Sequence, residues 1–567
     1  MAQLFQRLAP HLLLLTEVFV VITTGFLIFW SQWRSPANAH APRPGVLERA
    51  FGRLAKQRRL AVLAVGGGVI VARIALIPIL GIPEPRWHDE YSFLLAADTF
   101  AHGRLTNPTH PMWMHFETFH VLQQPTYMSM YPPGQGLVLA LGQLLGHPWI
   151  GQLLITGAMA SAICWMLQAW VPPSWALLGA VLAGLRIGIL SYWMNSYFCG
   201  SLAAFGGALV LGALPRIMRQ ARLRDSALMG VGLAVLANTR PYEGVVFSLP
   251  IAAALLLWTA TQCRVRAAAV WTRTVLPLTL ILAVSAVATG YYFWRVSGDP
   301  FVMPYQVDRS TYAVAPYFIW QLMRPEPFYR HDVMRRFYLG FEVQDYEAGR
   351  SALGLLRRVL SKIPHSWQLY AGPMLTVPLL ALPCIFRDRK MRFPLVLAGV
   401  MAIGVVIEVW TAAHYIAPAT CLFFLLLVQC MRHLRWWRWN GRWLGAAWVR
   451  AVPMMCVGMI LLRVFAVATG TRMEPNWPRG NLQRAAMLKV LDEAPGLHLV
   501  MVRYAADHGP NEEWVYNRAD IDGAKVVWAR AMGPQQDAEL LRYFQGRHVW
   551  TLCPDDPNPE LHSDGSH

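Results

Sequence analysis

Charged residues are scarce in this sequence. Of its 567 residues, 14% are charged and 55% are hydrophobic, whereas soluble domains carry about 25% charged residues. The apolar residues form many runs of roughly 17–25 residues, the length that an α-helix needs to cross a bilayer. This composition excludes an ordinary soluble enzyme and predicts an all-α polytopic membrane protein.

Cysteine pairs and a cleavage signal are also missing. The eight Cys are scattered, with no CxxC pattern and no Cys/His cluster, so neither a disulfide framework nor a zinc site is expected. No short apolar core with a small-residue cleavage site opens the chain. The apolar run at about 12–30 is therefore predicted to be a retained anchor.

Acidic residues are outnumbered, 32 Asp and Glu against 50 Lys and Arg, which leaves a net charge of +18. The basic residues lie in short loops between apolar runs. This is the positive-inside pattern of membrane proteins, so the charge does not require a nucleic-acid partner. The cytoplasmic loops are predicted at 34–59, 216–224, 264–273, 387–392 and 432–442. About twelve crossings follow, at 12–30, 60–82, 149–170, 175–192, 198–215, 226–239, 245–261, 274–294, 367–386, 393–411, 414–431 and 446–467.

This topology divides the chain into three parts. Residues 1–59 form the anchor helix and a basic cytoplasmic loop, and residues 60–468 form a transmembrane domain with outer loops at about 83–133 and 295–366. A short apolar piece at 134–145 is predicted to lie at the interface. The tail, 469–567, alternates strand-like and helix-like segments, which predicts a small α/β domain on the outer face. It has no glycine-rich phosphate loop, so no catalysis is assigned to it.

The stretch RWHDEYSF places Asp89 and Glu90 side by side where the second apolar run ends, on the predicted outer face. Two solvated acids that mark a helix end would explain them. However, the loop that follows, TNPTHPMWMHFETFHVLQQPTYMSMYPPGQG, is rich in aromatic residues, His, Met and Pro, unlike a spacer. Its length and composition favour a folded functional loop over a disordered one.

Two further motifs lie at the outer ends of predicted helices. In NTRPYEG, Arg240 and Glu243 either neutralise one another or mark a site, and an arginine at this depth suits a phosphate group. In HYIAPA, His414 opens a late helix, where a lone histidine is more often a packed residue than a functional one.

The second outer loop, 295–366, is unusually basic for an outer segment. Idle basic residues there would violate the positive-inside pattern, although long loops are partly exempt from it. A surface for an anionic head group would explain them. The loop carries Tyr305, Arg309, Arg324, His331, Asp332, Arg335 and Arg336. Asn195, between two spans, is one more polar candidate.

These motifs together resemble the GT-C superfamily of polyprenyl-phosphate-sugar-dependent glycosyltransferases, in particular the branch of protein O-mannosyltransferases and lipid A aminoarabinose transferases. The similar features are an acidic pair in the first outer loop (HDEYSFLLAADTFAHGRL), a Pro-Pro before an apolar stretch (YPPGQGLVLALGQLLG), a basic residue after Thr (LANTRPYEG) and a late helix that opens with Tyr and Pro (HYIAPA). The likeness covers about residues 60–435. The extra N-terminal helix, the composition of the first outer loop and the tail depart from the pattern, and His414 stands where that branch often has Arg.

The resemblance implies transfer of a sugar from a polyprenyl-phosphate donor to an envelope acceptor, with inversion at the anomeric carbon, on the periplasmic face of a bacterial inner membrane. Asp89 would be the general base, and Glu90 would support it or hold a head group. Adjacent like charges should raise the pKa of one of them. The donor phosphate would be held by Arg240, helped by Arg309, Arg324 or His414. The sugar and acceptor pocket would be lined by His88, Tyr91, Glu117, Tyr131, Asn195, Tyr242, Glu243 and Tyr415. A divalent cation at Asp89, Glu90 and Glu117 stays open, because their spacing forms no metal signature.

Two other functions are compatible with a chain of this class. A transporter or lipid flippase predicts charged residues at the middle of the bilayer and paired repeats, but no internal repeat is visible and the polar residues lie at the outer ends of helices. A non-catalytic scaffold for envelope assembly, with the tail as its docking module, would leave Asp89 dispensable.

Overall fold

The computed structural model describes residues 11–34, 45–410, 412–470 and 480–563. Helices dominate, as the fold class predicted. Their bounds are Leu12–Trp33, Val46–Lys56, Arg58–Ala75, Ile77–Leu80, His88–Ala101, Pro133–Leu144, Pro148–Trp170, Pro173–Ala183, Gly200–Arg219, Leu223–Ala237, Pro241–Val270, Leu276–Ser297, Pro304–Tyr312, Asp332–Arg335, Gln344–Ala348, Ala352–Tyr370, Gly372–Leu379, Leu382–Ile385, Arg392–Ile407, Thr420–Leu434, Leu444–Ala468, Leu482–Glu493 and Pro534–Tyr543.

Among the described residues, seven helical segments are long and apolar enough to cross a membrane. The longest, Pro241–Ser297, holds two of the predicted crossings. The segments are Leu12–Trp33, Pro148–Trp170, Gly200–Arg219, Pro241–Ser297, Arg389–Ile407, Ala413–Leu434 and Leu444–Ala468. The crossings predicted at 60–82, 175–192, 226–239 and 367–386 correspond to shorter, broken or more charged helices.

Two local predictions were wrong. The segment 264–273, expected as a basic loop, is helical, and its two helices meet at a kink at Arg266. The segment 367–386, expected as one helix, is interrupted, because Gly372 takes a left-handed φ of 55° and Pro373 and Pro378 each remove a backbone donor. Residues 35–44 of the predicted basic loop 34–59 lie outside the described residues, and Val46–Lys56 within it is a helix.

Small residues bring the central helices together. Gly142 packs against the backbone of Gly151, so that Pro133–Leu144 closely approaches Pro148–Trp170, and a Cβ on Gly207 would meet the Pro418 carbonyl oxygen at 1.9 Å. Close backbone approach at glycine is how membrane helices gain packing contacts without a hydrophobic driving force.

The N-terminal helix is tied to this core by a buried ion pair. Arg186 Nη1 lies 2.6 Å from Glu17 Oε1, and both side chains are buried. Because an unpaired charge in a membrane-spanning region is costly, the pair requires Leu12–Trp33 to pack beside the turn at Gly184–Gly188. This confirms a helix at the predicted anchor position.

The first outer loop is folded. It starts with the helix His88–Ala101 and continues as a small antiparallel sheet in which Thr126–Ser129 pairs with Asn107–Pro108 on one side and with Val121–Leu122 on the other. The predicted interfacial piece is the helix Pro133–Leu144.

The tail has the predicted α/β composition. His498–Val502 pairs in parallel with Val526–Arg530 and His548–Leu552, and His562–Ser563 adds a short antiparallel edge. The helices Leu482–Glu493 and Pro534–Tyr543 complete the unit.

The tail shares a hydrophobic core with the first outer loop. Tyr91 stacks on Tyr516 with ring centroids 4.1 Å apart, and Leu95 and Phe116 join Leu499 in the same buried cluster. Segments that share a core cannot be separated by a bilayer, so the first outer loop and the tail lie on the same side of the membrane.

Candidate active site

Asp89 lies in the first turn of the helix His88–Ala101, which follows the short helix Ile77–Leu80 after the irregular segment 81–87. The Tyr131 hydroxyl donates a hydrogen bond to Asp89 Oδ1, and His120 Nδ1 lies 3.7 Å from the same oxygen. The Asp89 side chain keeps 30% of its surface accessible, whereas His120 keeps 16%. The structure therefore presents a held, partly open carboxylate at this position.

Glu90 is engaged by the backbone. Its Oε1 accepts hydrogen bonds from Arg86 N at 3.1 Å and Trp87 N at 3.2 Å, and its Oε2 accepts one from Tyr197 N at 3.0 Å. Burial raises the pKa of this carboxyl to about 7, and the charge of Asp89 contributes least among the causes. The raised pKa of Glu90 therefore comes mainly from burial and not, as the sequence had led us to expect, from the neighbouring acid. The Glu90 side chain caps the start of the helix His88–Ala101.

His88 and His120 form an aromatic wall beside Asp89. The ring centroid of His88 lies 4.4 Å from that of Phe119 and 5.5 Å from that of His120. Burial lowers the pKa of both imidazoles to about 3, so both are neutral at pH 7. Neither ring nitrogen of the buried His88 has a hydrogen-bond partner in the described part of the chain.

Arg240 and Glu243 form a buried pair. The Arg240 guanidinium also stacks on the Tyr415 ring, with its carbon 4.0 Å from the centroid. Its Nε has no hydrogen-bond partner among the described residues. The arginine therefore keeps donor capacity after it has neutralised Glu243.

The Asp89 and Arg240 regions are neighbours. Tyr415 and Cys199 each lie close enough to Asp89 and to Arg240 to be influenced by both charges, and the Tyr415 ring stacks under the Arg240 guanidinium. The motifs also touch directly: Gly134 N donates to the Asn238 carbonyl at 2.8 Å, and a Cβ at Gly134 would meet that oxygen at 2.5 Å. The close contact requires glycine in YPPGQG and brings NTRPYEG beside the outer loop.

The other predicted phosphate ligands are engaged elsewhere. Arg309 binds Glu342 through two contacts of 2.6 and 2.9 Å and donates to the Ala315 carbonyl. Arg324 is exposed and donates to the Arg309 carbonyl. His414 Nδ1 lies 3.0 Å from the Tyr192 hydroxyl. None of these contacts brings a side chain to Asp89.

Two predicted pocket residues bind the tail or the second outer loop instead. Tyr91 is covered by Tyr516. Glu117 is buried, accepts a hydrogen bond from the Tyr312 hydroxyl at 2.8 Å, and lies 3.4 Å from His331 Nε2. Burial raises the pKa of the Glu117 carboxyl.

Asn195 and Tyr242 have local roles. Asn195 Oδ1 accepts a hydrogen bond from the buried Arg73 at 2.9 Å, and its amide donates to two carbonyls of its own turn. The Tyr242 hydroxyl donates to the Gly404 carbonyl at 2.9 Å. Both side chains therefore stabilise backbone segments rather than line an open pocket.

Among the described residues, no group of three or more His, Cys, Asp or Glu side chains could hold a metal ion. Asp89, Glu90 and Glu117 do not converge, because Glu90 faces backbone amides and Glu117 faces Tyr312 and His331. These three acids therefore do not fit a divalent cation.

Glu408 and His120 belong to this region and were missed from the sequence. Glu408 is fully buried and accepts a hydrogen bond from the Tyr317 hydroxyl at 2.9 Å. The Lys362 ammonium donates to the backbone carbonyls of Val405, at 2.7 Å, and of Glu408. A single acid inside an apolar run marks a functional candidate by default, and this signal would have found Glu408. No such signal distinguishes His120 from the other histidines of its loop.

No family model matches the chain, and no curated protein matches it in sequence. Solved structures with a similar course include ArnT from Cupriavidus metallidurans in the apo state, at 13% identity over 85% of this chain and 91% of that one, with a TM-score of 0.48. The same protein bound to undecaprenyl phosphate aligns over the same shares at 14% identity and a TM-score of 0.48. The archaeal oligosaccharyltransferase AglB from Archaeoglobus fulgidus, in complex with an inhibitory peptide and a dolichol-phosphate, aligns at 10% identity over 88% of this chain and 70% of that one, with a TM-score of 0.44. At sequence identities this low, the role of a residue in one chain cannot be transferred to the other.

Proposed function

We propose that this protein is a membrane glycosyltransferase that moves a sugar from a polyprenyl-phosphate carrier to an envelope acceptor on the outer face of a bacterial inner membrane. The observation that carries the proposal is the placement of Asp89. Its carboxylate is held by Tyr131 in the first turn of the helix His88–Ala101, and it lies near a buried arginine whose Nε has no partner among the described residues. The choice of donor follows from the resemblance of the motifs to polyprenyl-phosphate-sugar enzymes.

In the proposed reaction, Asp89 takes the proton of the acceptor hydroxyl as its oxygen attacks the anomeric carbon. The bond between that carbon and the phosphate oxygen breaks, and its electron pair leaves with the lipid phosphate. Attack opposite the leaving group inverts the anomeric centre. Neutral His120 and the Tyr131 hydroxyl orient the carboxylate without forming a competing ion pair.

Arg240 supplies the positive charge that the leaving phosphate requires. A donor phosphate that reaches Arg240 can accept from its unpartnered Nε, while Glu243 and the Tyr415 ring hold the guanidinium in place. A fixed charge in a water-poor site stabilises developing charge more strongly than the same group in water. Glu90, Arg309, Arg324 and His414 support the site through the backbone and the packing rather than through the phosphate.

The test is the substitution Asp89→Asn in the full chain, reconstituted in liposomes with polyprenyl-phosphate-sugar donors. Loss of a general base lowers transfer by about 10²–10⁴-fold, while the thermal unfolding midpoint should stay close to that of the wild type. Glu326→Gln, which removes an exposed carboxylate from the second outer loop, is the matched control and should retain full transfer. Wild-type turnover in Asp89→Asn would reject the proposed base, and lipid translocation without sugar transfer would favour a flippase.

A further inference from the structure

Two adjoining cavities of about 260 and 340 Å³ lie in the second outer loop, beside the start of the helix Ala352–Tyr370 with which the loop ends. They share Gly349 and Arg358 in their walls. Their sizes are close to the lower limit of small-ligand sites, about 300 Å³. They have no part in the proposed transfer site, whose residues do not line them.

The walls of these cavities are basic. Arg350, Arg357 and Arg358 line them, against a single acid, Asp345. Arg350 and Arg357 are exposed, and the Arg357 side chain has no polar partner in the described part of the chain. Arg358 is buried and donates to the Tyr346 carbonyl at 2.8 Å, so it fixes the cavity wall.

An open apolar face adjoins the arginines. In the helix Ala352–Tyr370, Leu353, Leu356, Leu360 and Ile363 are each more than 50% exposed, and their spacing puts them on one side of the helix. Arg357 flanks that side, and the cavity residues Trp320 and Leu322 are also exposed. An amphipathic helix with this pattern lies in a membrane interface, with its apolar face among the acyl chains and its basic residues at the head groups.

The position of the cavities agrees with such an interface. The backbone of Phe318 bridges to Glu408, one residue beyond the end of the membrane-spanning segment Arg389–Ile407. The cavity wall is therefore attached close to the end of a predicted spanning helix, the part of such a helix that meets the lipid head groups.

We propose that these cavities bind the phosphate head group of an anionic glycerophospholipid of the outer leaflet, whose acyl chains cover the leucine face of Ala352–Tyr370. Arginine forks match phosphate oxygens, and the adjoining apolar face distinguishes a lipid from a free phosphate. Lipid binding at this position does not depend on sugar transfer.

The experiment measures thermal unfolding of the full chain in detergent micelles that contain either dioleoylphosphatidylglycerol or dioleoylphosphatidylcholine. The anionic lipid should raise the midpoint of the wild type more than the zwitterionic lipid does, since a ligand that binds the folded state stabilises it. Arg350→Gln with Arg357→Gln should weaken the apparent affinity for the anionic lipid by roughly 30-fold.

Arg503→Gln with Arg542→Gln removes the same charge from exposed positions of the tail and should leave the response unchanged. Arg350→Lys with Arg357→Lys keeps the charge and should retain part of the response, which separates misfolding from lost binding. An equal response to both lipids, or an unchanged response in the Gln variant, would overturn the proposal. Displacement of the anionic lipid by equimolar undecaprenyl phosphate, or by inorganic phosphate, would also overturn it, because the site would then belong to the donor or to a free anion.

Discussion

Asp89 and Glu90 are neighbours with different functions. Successive residues of a helix point about 100° apart, so Asp89 reaches Tyr131 while Glu90 turns back to the amides of Arg86 and Trp87. Accessibility follows from this difference, because only Asp89 remains open to an acceptor. The acidic pair thus combines one reactive carboxylate with one that holds the helix start in place.

Arg240 gives a second prediction at the scale of single residues. Its guanidinium is paired with Glu243 and still has one N–H group, at Nε, without a partner among the described residues. Arg240→Met should raise the KM for the donor and also destabilise the protein by about 3–5 kcal/mol, since Glu243 is left buried without its partner. In the double variant Arg240→Met with Glu243→Gln, most of the stability should return while the donor KM stays high. Thermal unfolding and donor titrations measure the two effects separately. Recovery of the donor KM in the double variant would show that Arg240 only neutralises Glu243.

At the scale of the element, the start of the helix His88–Ala101 organises the site. Its first turn carries Asp89, its cap is Glu90, and the Tyr197 amide bound by Glu90 belongs to the irregular segment before Gly200–Arg219. A change at Glu90 is therefore expected to move Asp89 relative to the helix Gly200–Arg219. The glycine of YPPGQG that contacts Asn238 adds a second fixed point.

Glu90→Gln tests this cap. The glutamine side chain would place an N–H group against the N–H of Tyr197, where the carboxylate had accepted a hydrogen bond. We therefore expect a loss of about 1–3 kcal/mol in the free energy of unfolding. Transfer at a permissive temperature should fall far less than in Asp89→Asn. Burial raises the pKa of Glu90 from an ordinary value of 4.5 to about 7 in the folded state. Proton binding therefore stabilises the folded wild type most below pH 4.5, and this stabilisation is lost as the pH rises through 7. The stability gap between wild type and variant should therefore shrink from pH 5 to pH 8, and a gap that grows with pH would contradict the expected shift.

At the scale of the whole molecule, the tail and the outer loops form one extramembrane unit. Arg530, in the tail, lies 2.5 Å from Glu513 and also donates to the Glu117 carbonyl at 3.3 Å. Arg336 in the second outer loop reaches the carbonyl of Ala506. Both outer loops thus contact the tail, and residues expected in a substrate pocket, such as Tyr91 and Glu117, are covered by these contacts.

The shared core requires the first outer loop and the tail to lie on one side of the membrane, and cysteine labelling in intact cells measures which side. In a background without the accessible natural cysteines, His102→Cys and Arg503→Cys should react with an impermeant maleimide from the outer face. Arg264→Cys, in the predicted inner loop, should react only after the membrane is permeabilised. All three positions are exposed. The natural cysteines to replace by Ser are Cys263, Cys384 and Cys553. Reaction of residues 102 and 503 from opposite sides would contradict the shared core, and early reaction of residue 264 would contradict the topology.

The sequence by itself determined the membrane class, the position of most helices and the α/β composition of the tail, because apolar run length and alternation are local properties. It also marked Asp89, Arg240 and the glycine-rich turn as neighbours of helix ends. Only the tertiary structure decided which of these groups lie near one another, that Glu90 is a cap, and that Arg309 is already paired with Glu342. Glu408 lies far from the motifs in sequence, and His120 lies among other histidines of its loop. Their roles arise from burial and three-dimensional contact, which no local sequence pattern contains.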